Sequence, residues 1–183
     1  MTGNVTLSMD DLRAVTAFAA VSAAEVLEIF EASHPSDSRP RDAIDIARTF
    51  AQGARRTKLL RDAAWNALKA AQQCQDADAS QAARAAMCTA SAAYLHPLAR
   101  STQVRHILGA AAHAVHAAEL AAGDAADVAT HLEHAARYAN PTVIDVLCRY
   151  PLAPPGGGRV GELLRILDRA LRTERQIGPQ TID

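Results

Sequence analysis

The histidines have the clearest potential for chemistry, because six of the seven lie in the stretch from His96 to His134. His113 and His116 are three residues apart, as are His131 and His134, and on a helix this spacing places two imidazoles side by side, as a metal site requires. Zinc hydrolases carry His-Glu-x-x-His, and di-iron bundles repeat Glu-x-x-His on two helices; the helices that carry these histidine pairs lack both patterns. Structural histidines are therefore favoured, and a metal-dependent helical-bundle enzyme is the weakest hypothesis.

The remaining reactive groups do not form a catalytic set. Cys74, Cys88 and Cys148 have no C-x-x-C spacing and lie inside or late in predicted helices, which favours buried thiols over nucleophiles, disulfides or zinc ligands. The run from Gly156 to Gly158 has no strand before it and no lysine and hydroxyl residue after it, so it is interpreted as a linker rather than a phosphate loop. The sequence therefore predicts a protein that is not an enzyme and has no metal and no cofactor.

Trp65 is the first candidate for a partner-binding residue. At 100° per residue it lies outside the apolar arc of its predicted helix, an arc that includes Leu59 and Leu60, and Arg61 and Lys69 flank it. An aromatic side chain with cations at its rim has the makeup of an interface anchor. The alternative interpretation is that a neighbouring helix or the C-terminal segment covers Trp65.

A ligand pocket on the fifth predicted helix is the second candidate site. His106, Gly109, Ala110 and His113 lie on the side of this helix opposite its apolar stripe. Glycine and alanine leave room between helices, and the two imidazoles would supply polar contacts. This pattern is consistent with a small-molecule-binding module.

The elements that position these residues are predicted to be helices. Alanine supplies about a quarter of the 183 residues, aromatic residues are 4%, and β-branched residues are sparse, a balance that favours helix over sheet. Periodicity, caps and breakers indicate eight helices, with Ser8 and Asp124 capping the first and the sixth. They span about residues 8–32, 38–53, 57–75, 78–95, 101–122, 124–139, 142–150 and 159–175.

The predicted fold class is all-α: a compact single-domain bundle of seven to eight helices, mostly with antiparallel neighbours. Residues 1–150 form the bundle, 151–158 a Pro/Gly linker, 159–175 a C-terminal helix that packs back on the bundle or on a second subunit, and 176–183 a flexible tail. An apolar last helix after a linker permits a homodimer, including one that exchanges this helix.

Charge and hydropathy limit the partners. A formal net charge of −1 gives no long-range field for nucleic acid or anionic lipid, so neither nucleic acid nor a membrane is expected as a partner. No stretch reaches the ~18 uninterrupted apolar residues of a membrane span, and the first residues lack the pattern of an export signal. Together with the three cysteines, which lack disulfide spacing, these features predict a cytoplasmic protein.

The second predicted helix carries a family resemblance. Its residues Arg39-Pro40-Arg41-x-Ala43-Ile44-Asp45-x-Ala47-Arg48-x-Phe50-Ala51-x-Gly53 resemble R-P-R-x-A-I-[DE]-x-A-R-x-[FW]-x-x-G, a segment of the immunity-five-like family of immunity proteins from bacterial polymorphic toxin systems. Glu25-Val26-Leu27-x-Ile29-Phe30-Glu31 is similar to the family's V-L-x-x-F-E. His106-x-x-Gly109-Ala110-Ala111-Ala112-His113-Ala114 is similar to its H-x-x-G-A-A-x-[YH]-A. The resemblance extends over about residues 10–122 and then fades.

The resemblance implies an all-helical protein that neutralises a cognate protein toxin by binding it, and it brings no catalytic residues. His113 stands where the family often has an aromatic residue, and the segment from Tyr94 to Pro97 departs from the pattern. The first hypothesis is therefore a non-enzymatic protective binding protein that uses the surface around Trp65. The alternative is a helical module that sequesters or senses a small molecule.

Overall fold

The structure is a computed structural model that describes residues 3–177, and within this range the chain forms nine α-helices. Short 3₁₀ turns at Ser101–Gln103 and Gly123–Ala125 precede the sixth and seventh helices. The flexible tail predicted for residues 176–183 lies outside the described residues from 178 onward. The helices are α1 (Met9–Ala24), α2 (Leu27–Ser33), α3 (Arg39–Ala51), α4 (Lys58–Gln73), α5 (Ala77–Ala92), α6 (Val104–Ala122), α7 (Val128–Arg137), α8 (Pro141–Cys148) and α9 (Gly158–Ile177).

The prediction of a compact all-α fold is confirmed. Strand-like pairing in the described part of the chain is limited to one isolated bridge, between Asn4 and Leu98, which ties the N-terminal segment to the connection between α5 and α6. Among residues 3–177, none of the helices combines the length and the apolar character needed to span a bilayer.

The predicted count of seven to eight helices is wrong, because the first predicted helix is two helices. Val26 lies between α1 and α2 with φ −117° and ψ 5°, outside the helical range. The bend lets Val26, Leu27 and Phe30 all reach the core, where each is at most 6% exposed. Neither glycine nor proline marks this break, so the residue types gave no signal of it.

Two alanine-rich helices form the centre of the bundle. α5 packs against α1, α2, α3, α4 and α6, and α6 packs in turn against α1, α7, α8 and α9. Many of their contacts are made by fully buried alanines such as Ala83 and Ala86, whose small side chains let helix axes approach closely. Thr89 Oγ1 lies 3.0 Å from the carbonyl oxygens of both Ala19 and Ala85, so a buried hydroxyl also joins α5 to α1.

Two predictions about individual residues are wrong: one concerns a helix cap and the other the burial of a leucine. Asp124 lies in a 3₁₀ turn and does not cap the sixth predicted helix; Asp127 caps α7 instead and accepts the N–H of Thr130 at 3.1 Å. Leu59 is 62% exposed, whereas its neighbour Leu60 is 1% exposed. Adjacent residues point 100° apart on a helix, and the packing of α4 against α3 and α5 buries only the second leucine.

Side chains of α9 hold the proline- and glycine-rich segment that precedes it. Asp168, which is 1% exposed, accepts the N–H of Ala153 at 2.9 Å and the Nε–H of Arg172 at 2.7 Å. Arg165 donates to the carbonyl oxygen of Gly156 at 2.7 Å. α9 packs against α6, α7 and α8 of the same chain, so this segment connects two parts of one core.

Candidate functional site

An open groove of about 380 Å³ lies between α4, α5 and α6, and Trp65 forms part of its wall. The Trp65 side chain is 59% exposed, so no described part of the chain covers it fully. Its exposure follows from its position on α4, because Leu60, Ala63 and Ala67 on the same helix turn towards the core. The lining residues of this Trp65 groove are Arg61, Ala64, Trp65, Leu68, Met87, Ser91, Tyr94 and His106.

Tyr94 organises the cationic rim of the Trp65 groove. The Cζ atoms of Arg61 and Arg56 lie 5.2 and 5.4 Å from the centroid of its ring, within the range of a cation–π contact. The Tyr94 hydroxyl donates to the carbonyl oxygen of Thr57 at 2.9 Å, which fixes the ring between the end of α5 and the start of α4. Lys69 is exposed further along α4 and does not line the groove.

A second groove, of about 730 Å³, lies where α5 and α6 meet the start of α9, and it is called the α9 groove below. His106, Gly109 and His113 line it. Ala110, which the sequence grouped with them, is 1% exposed and belongs to the core. The reason is that helices cover α6 on several sides, so only a narrow strip of its surface stays open.

Both histidines of the α9 groove are neutral at pH 7. His106 Nδ1 lies 3.1 Å from the carbonyl oxygen of Ser91, and burial lowers the pKa of His106. His113 Nδ1 lies 2.6 Å from Gln81 Oε1, and burial together with the charge of nearby Arg84 lowers the pKa of His113 to about 4. A neutral imidazole forms hydrogen bonds but brings no charge, so these side chains supply polar contacts only.

The two grooves share a wall that consists of Met87, Ser91 and His106. The sequence assigned Trp65 and His106 to separate sites, and the structure places them on one surface because α4 and α6 both pack against α5. Sequence reasoning missed Met87 and Tyr94 as lining residues. The available signal was the i, i+4 spacing of Met87 and Ser91 on a helix that is otherwise rich in buried alanine.

Each histidine pair has at least one member that is hydrogen-bonded to another side chain of the protein. Among residues 3–177, no three His, Cys, Asp or Glu side chains are grouped so that they could hold a metal ion. His116 Nδ1 lies 3.0 Å from Glu119 Oε2, and His134 Nε2 lies 3.2 Å from the Tyr138 hydroxyl. Burial raises the pKa of the Cys88 thiol to about 12, which keeps it protonated at neutral pH.

The residues of the motif around α3 stabilise the bundle. Arg39 forms an ion pair with Asp37 and also donates to Gln73 of α4 at 2.7 Å. Arg41 forms an ion pair with Glu31 of α2. Four apolar residues of the motif are at most 1% exposed: Ala43, Ile44, Ala47 and Phe50. This motif therefore specifies how α2, α3 and α4 pack, and it lies outside both grooves.

The fold and the grooves define an all-α bundle whose open surfaces present apolar, cationic and neutral polar side chains. A family model described as "Imm-5 like putative immunity protein" matches residues 6–141, and the chain belongs to this family. The matched range includes every lining residue of the Trp65 groove and ends at the start of α8, so α9 lies outside it. Comparison with curated proteins and with solved structures finds no match.

Proposed function

We propose that the protein is a non-enzymatic immunity protein that neutralises a cognate protein toxin in the cytoplasm by binding it through the surface around Trp65. Membership of an immunity-protein family supports protective binding in general. The observation that carries the proposal at the residue level is a tryptophan side chain that is 59% exposed beside an apolar groove.

Trp65 has the properties of an interface hot spot. Tryptophan, tyrosine and arginine are the residues most enriched among hot spots, and large aromatic side chains bury much apolar area on binding. Tyr94 and Arg61 stand beside Trp65 and hold each other in place through the cation–π contact. Because these contacts hold Tyr94 and Arg61 in place before a partner arrives, binding costs less side-chain entropy at these two residues.

The charges around Trp65 define the partner surface that fits it. Arg61 and Lys69 are exposed on the same helix, and neither has an ion pair among the described residues. A toxin surface that places an apolar side chain in the groove and carboxylates opposite Arg61 and Lys69 is complementary in shape and charge. Such binding occludes the toxin sterically and requires no reacting group on this chain.

The test compares the wild type with Trp65→Ala and with the control variant Leu59→Ala. Leu59 lies on the same helix and is 62% exposed, but it does not line the Trp65 groove. Each tagged variant is purified from the native host, the bound proteins are identified by mass spectrometry, and the captured toxin is titrated against all three variants by calorimetry. We expect Trp65→Ala to weaken toxin binding about 30-fold or more, the effect of losing a hot spot of ~2 kcal/mol, and Leu59→Ala to leave it unchanged.

Two further measurements separate binding from folding and from self-association. The free energy of unfolding of Trp65→Ala should stay within about 1 kcal/mol of the wild type, because the side chain is largely exposed. A captured toxin that binds Trp65→Ala as tightly as the wild type contradicts the site, and failure of the wild type to protect cells from that toxin contradicts the function. A wild-type homodimer that dissociates in Trp65→Ala on sedimentation would assign this surface to self-association instead.

A further inference from the structure

The α9 groove is large and open, and the described residues that line it include no acidic side chain. Its volume of about 730 Å³ falls within the range of small-molecule sites. The chain has 20 acidic residues, yet no Asp or Glu is found among the groove's lining residues in the part of the chain that the structure describes. Arg84 and Arg105 line the groove, so its local charge is positive.

These two arginines have no counter-ion among the described residues. Within residues 3–177 neither Arg84 nor Arg105 forms a hydrogen bond or an ion pair, whereas Arg159 on nearby α9 is paired with Glu119 at 2.7 Å. Arg84 is part-buried and Arg105 is exposed, and after burial the charges of both guanidiniums help to lower the pKa of His113. Both guanidiniums therefore keep hydrogen-bond donors that an anion in the groove could accept from, and the partial burial of Arg84 removes some of the water that would otherwise do so.

The start of α9 brings backbone close to Arg105. Gly157 has φ +79°, and a Cβ on it would lie 3.5 Å from Arg105 Nη2. A Cβ on Gly161 would lie 2.0 Å from the carbonyl oxygen of Gly156, so only glycine lets the segment fold over the first turn of α9. The first N–H groups of a helix have no intrahelical acceptor and carry partial positive charge, which adds to the charge of the arginines.

We propose that the α9 groove binds a small molecule that carries a phosphate group. Arg84 and Arg105 hold the phosphate beside the start of α9, and the apolar side chains of Met87, Val160 and Leu164 contact the rest of the molecule. Phosphate fits better than a carboxylate, because its three oxygens can accept from two separate guanidinium groups and from backbone N–H groups at once. The proposal does not depend on toxin binding, since it involves only this chain and a small ligand.

The test is a calorimetric titration of the full chain with sodium pyrophosphate at low ionic strength, repeated with sodium citrate. The variants are Arg84→Gln and Arg105→Gln, and the matched control is Arg137→Gln. Arg137 is exposed on α7 and does not line the groove. We expect saturable pyrophosphate binding that each groove variant weakens about tenfold or more, as removal of a charged hydrogen-bond donor does, with Arg137→Gln equal to the wild type.

Amide NMR locates the binding on the wild type without any substitution. Pyrophosphate should shift the amide signals of Gly109, Gly157 and Gly161, which line the groove, and leave those of Gly53 and Gly123 in place. This map keeps the proposal testable even where an arginine variant fails to fold.

Three results would overturn the proposal. The first is the absence of saturable pyrophosphate binding by the wild type, and the second is an equal loss of affinity in all three arginine variants, which indicates non-specific attraction. The third is binding of citrate as tight as that of pyrophosphate, which removes the assignment to phosphate.

Discussion

His113 makes the stability of this protein depend on pH in a way that one substitution can isolate. Burial is the main reason why the imidazole stays neutral. The charges of Arg84, of His116 one turn along α6, and of Arg105 lower the pKa of His113 further. Its pKa is about 4 in the folded protein and about 6.5 in the unfolded chain. Between these two values the unfolded chain binds a proton that the folded protein does not bind, so stability is lost as the pH falls from 6.5 towards 4.

The size of the effect follows from the two pKa values. Linkage gives a loss of about 2 kcal/mol between pH 7 and pH 5, which grows to about 3 kcal/mol at pH 4. His113→Gln removes this titrating group and keeps a side chain that can still form a hydrogen bond with Gln81. Other groups that titrate in this window are common to both proteins, so the difference between their pH profiles belongs to His113.

The assay is urea denaturation of the wild type and His113→Gln at pH 7, 6 and 5. We expect the wild type to lose about 2 kcal/mol more than the variant over this range, and the Cε1–H signal of His113 to titrate near pH 4 in NMR. Parallel stability profiles, or an NMR midpoint at 6 or above, would refute the reasoning that burial and the neighbouring cations keep this imidazole neutral.

Three substitutions test the packing that positions the grooves. Gly161→Ala forces a Cβ against the carbonyl oxygen of Gly156, and we expect urea denaturation to show a loss of about 1–3 kcal/mol; an unchanged midpoint would contradict the described fold of this segment. Asp168→Ala leaves Arg172 without its buried counter-ion and should lower the free energy of unfolding by about 3 kcal/mol in the same assay. A free energy of unfolding close to that of the wild type would refute a structural role for this ion pair. Thr89→Val keeps the side-chain volume and removes the buried hydroxyl that joins α1 to α5, so thermal denaturation should show that the free energy of unfolding falls by about 1 kcal/mol. A variant more stable than the wild type would count against a stabilising role for that hydrogen bond.

The α3 segment of the family resemblance lies outside both grooves, whereas the segment from His106 to His113 contributes to their walls. Arg39 and Arg41 form ion pairs around α3, and Phe50 is buried, so the recognisable residues of this segment describe the fold. Trp65 and Arg105 lie outside that segment, on surfaces where packing imposes little constraint on residue type. A motif that maintains packing therefore identifies the family without identifying the residues that meet a partner.

The sequence by itself determined the helical class and most helix positions. Those features depend on interactions between residues close in the chain. Ser8 caps α1, Pro40 lies in the first turn of α3, and Gly53, with φ +116°, lies just after the end of α3. Each is a property of a few adjacent residues, and each can be deduced from their types and spacing.

The tertiary structure alone decided which of these residues reach solvent and which meet one another. Which helix packs against which face decides three features: the bend at Val26, the burial of Leu60 rather than Leu59, and the burial of Ala110 in the core. Trp65 and His106 share a groove because α4 and α6 both pack on α5. Contacts between residues far apart in the chain are set by the sum of many weak packing interactions, and no local pattern encodes that sum.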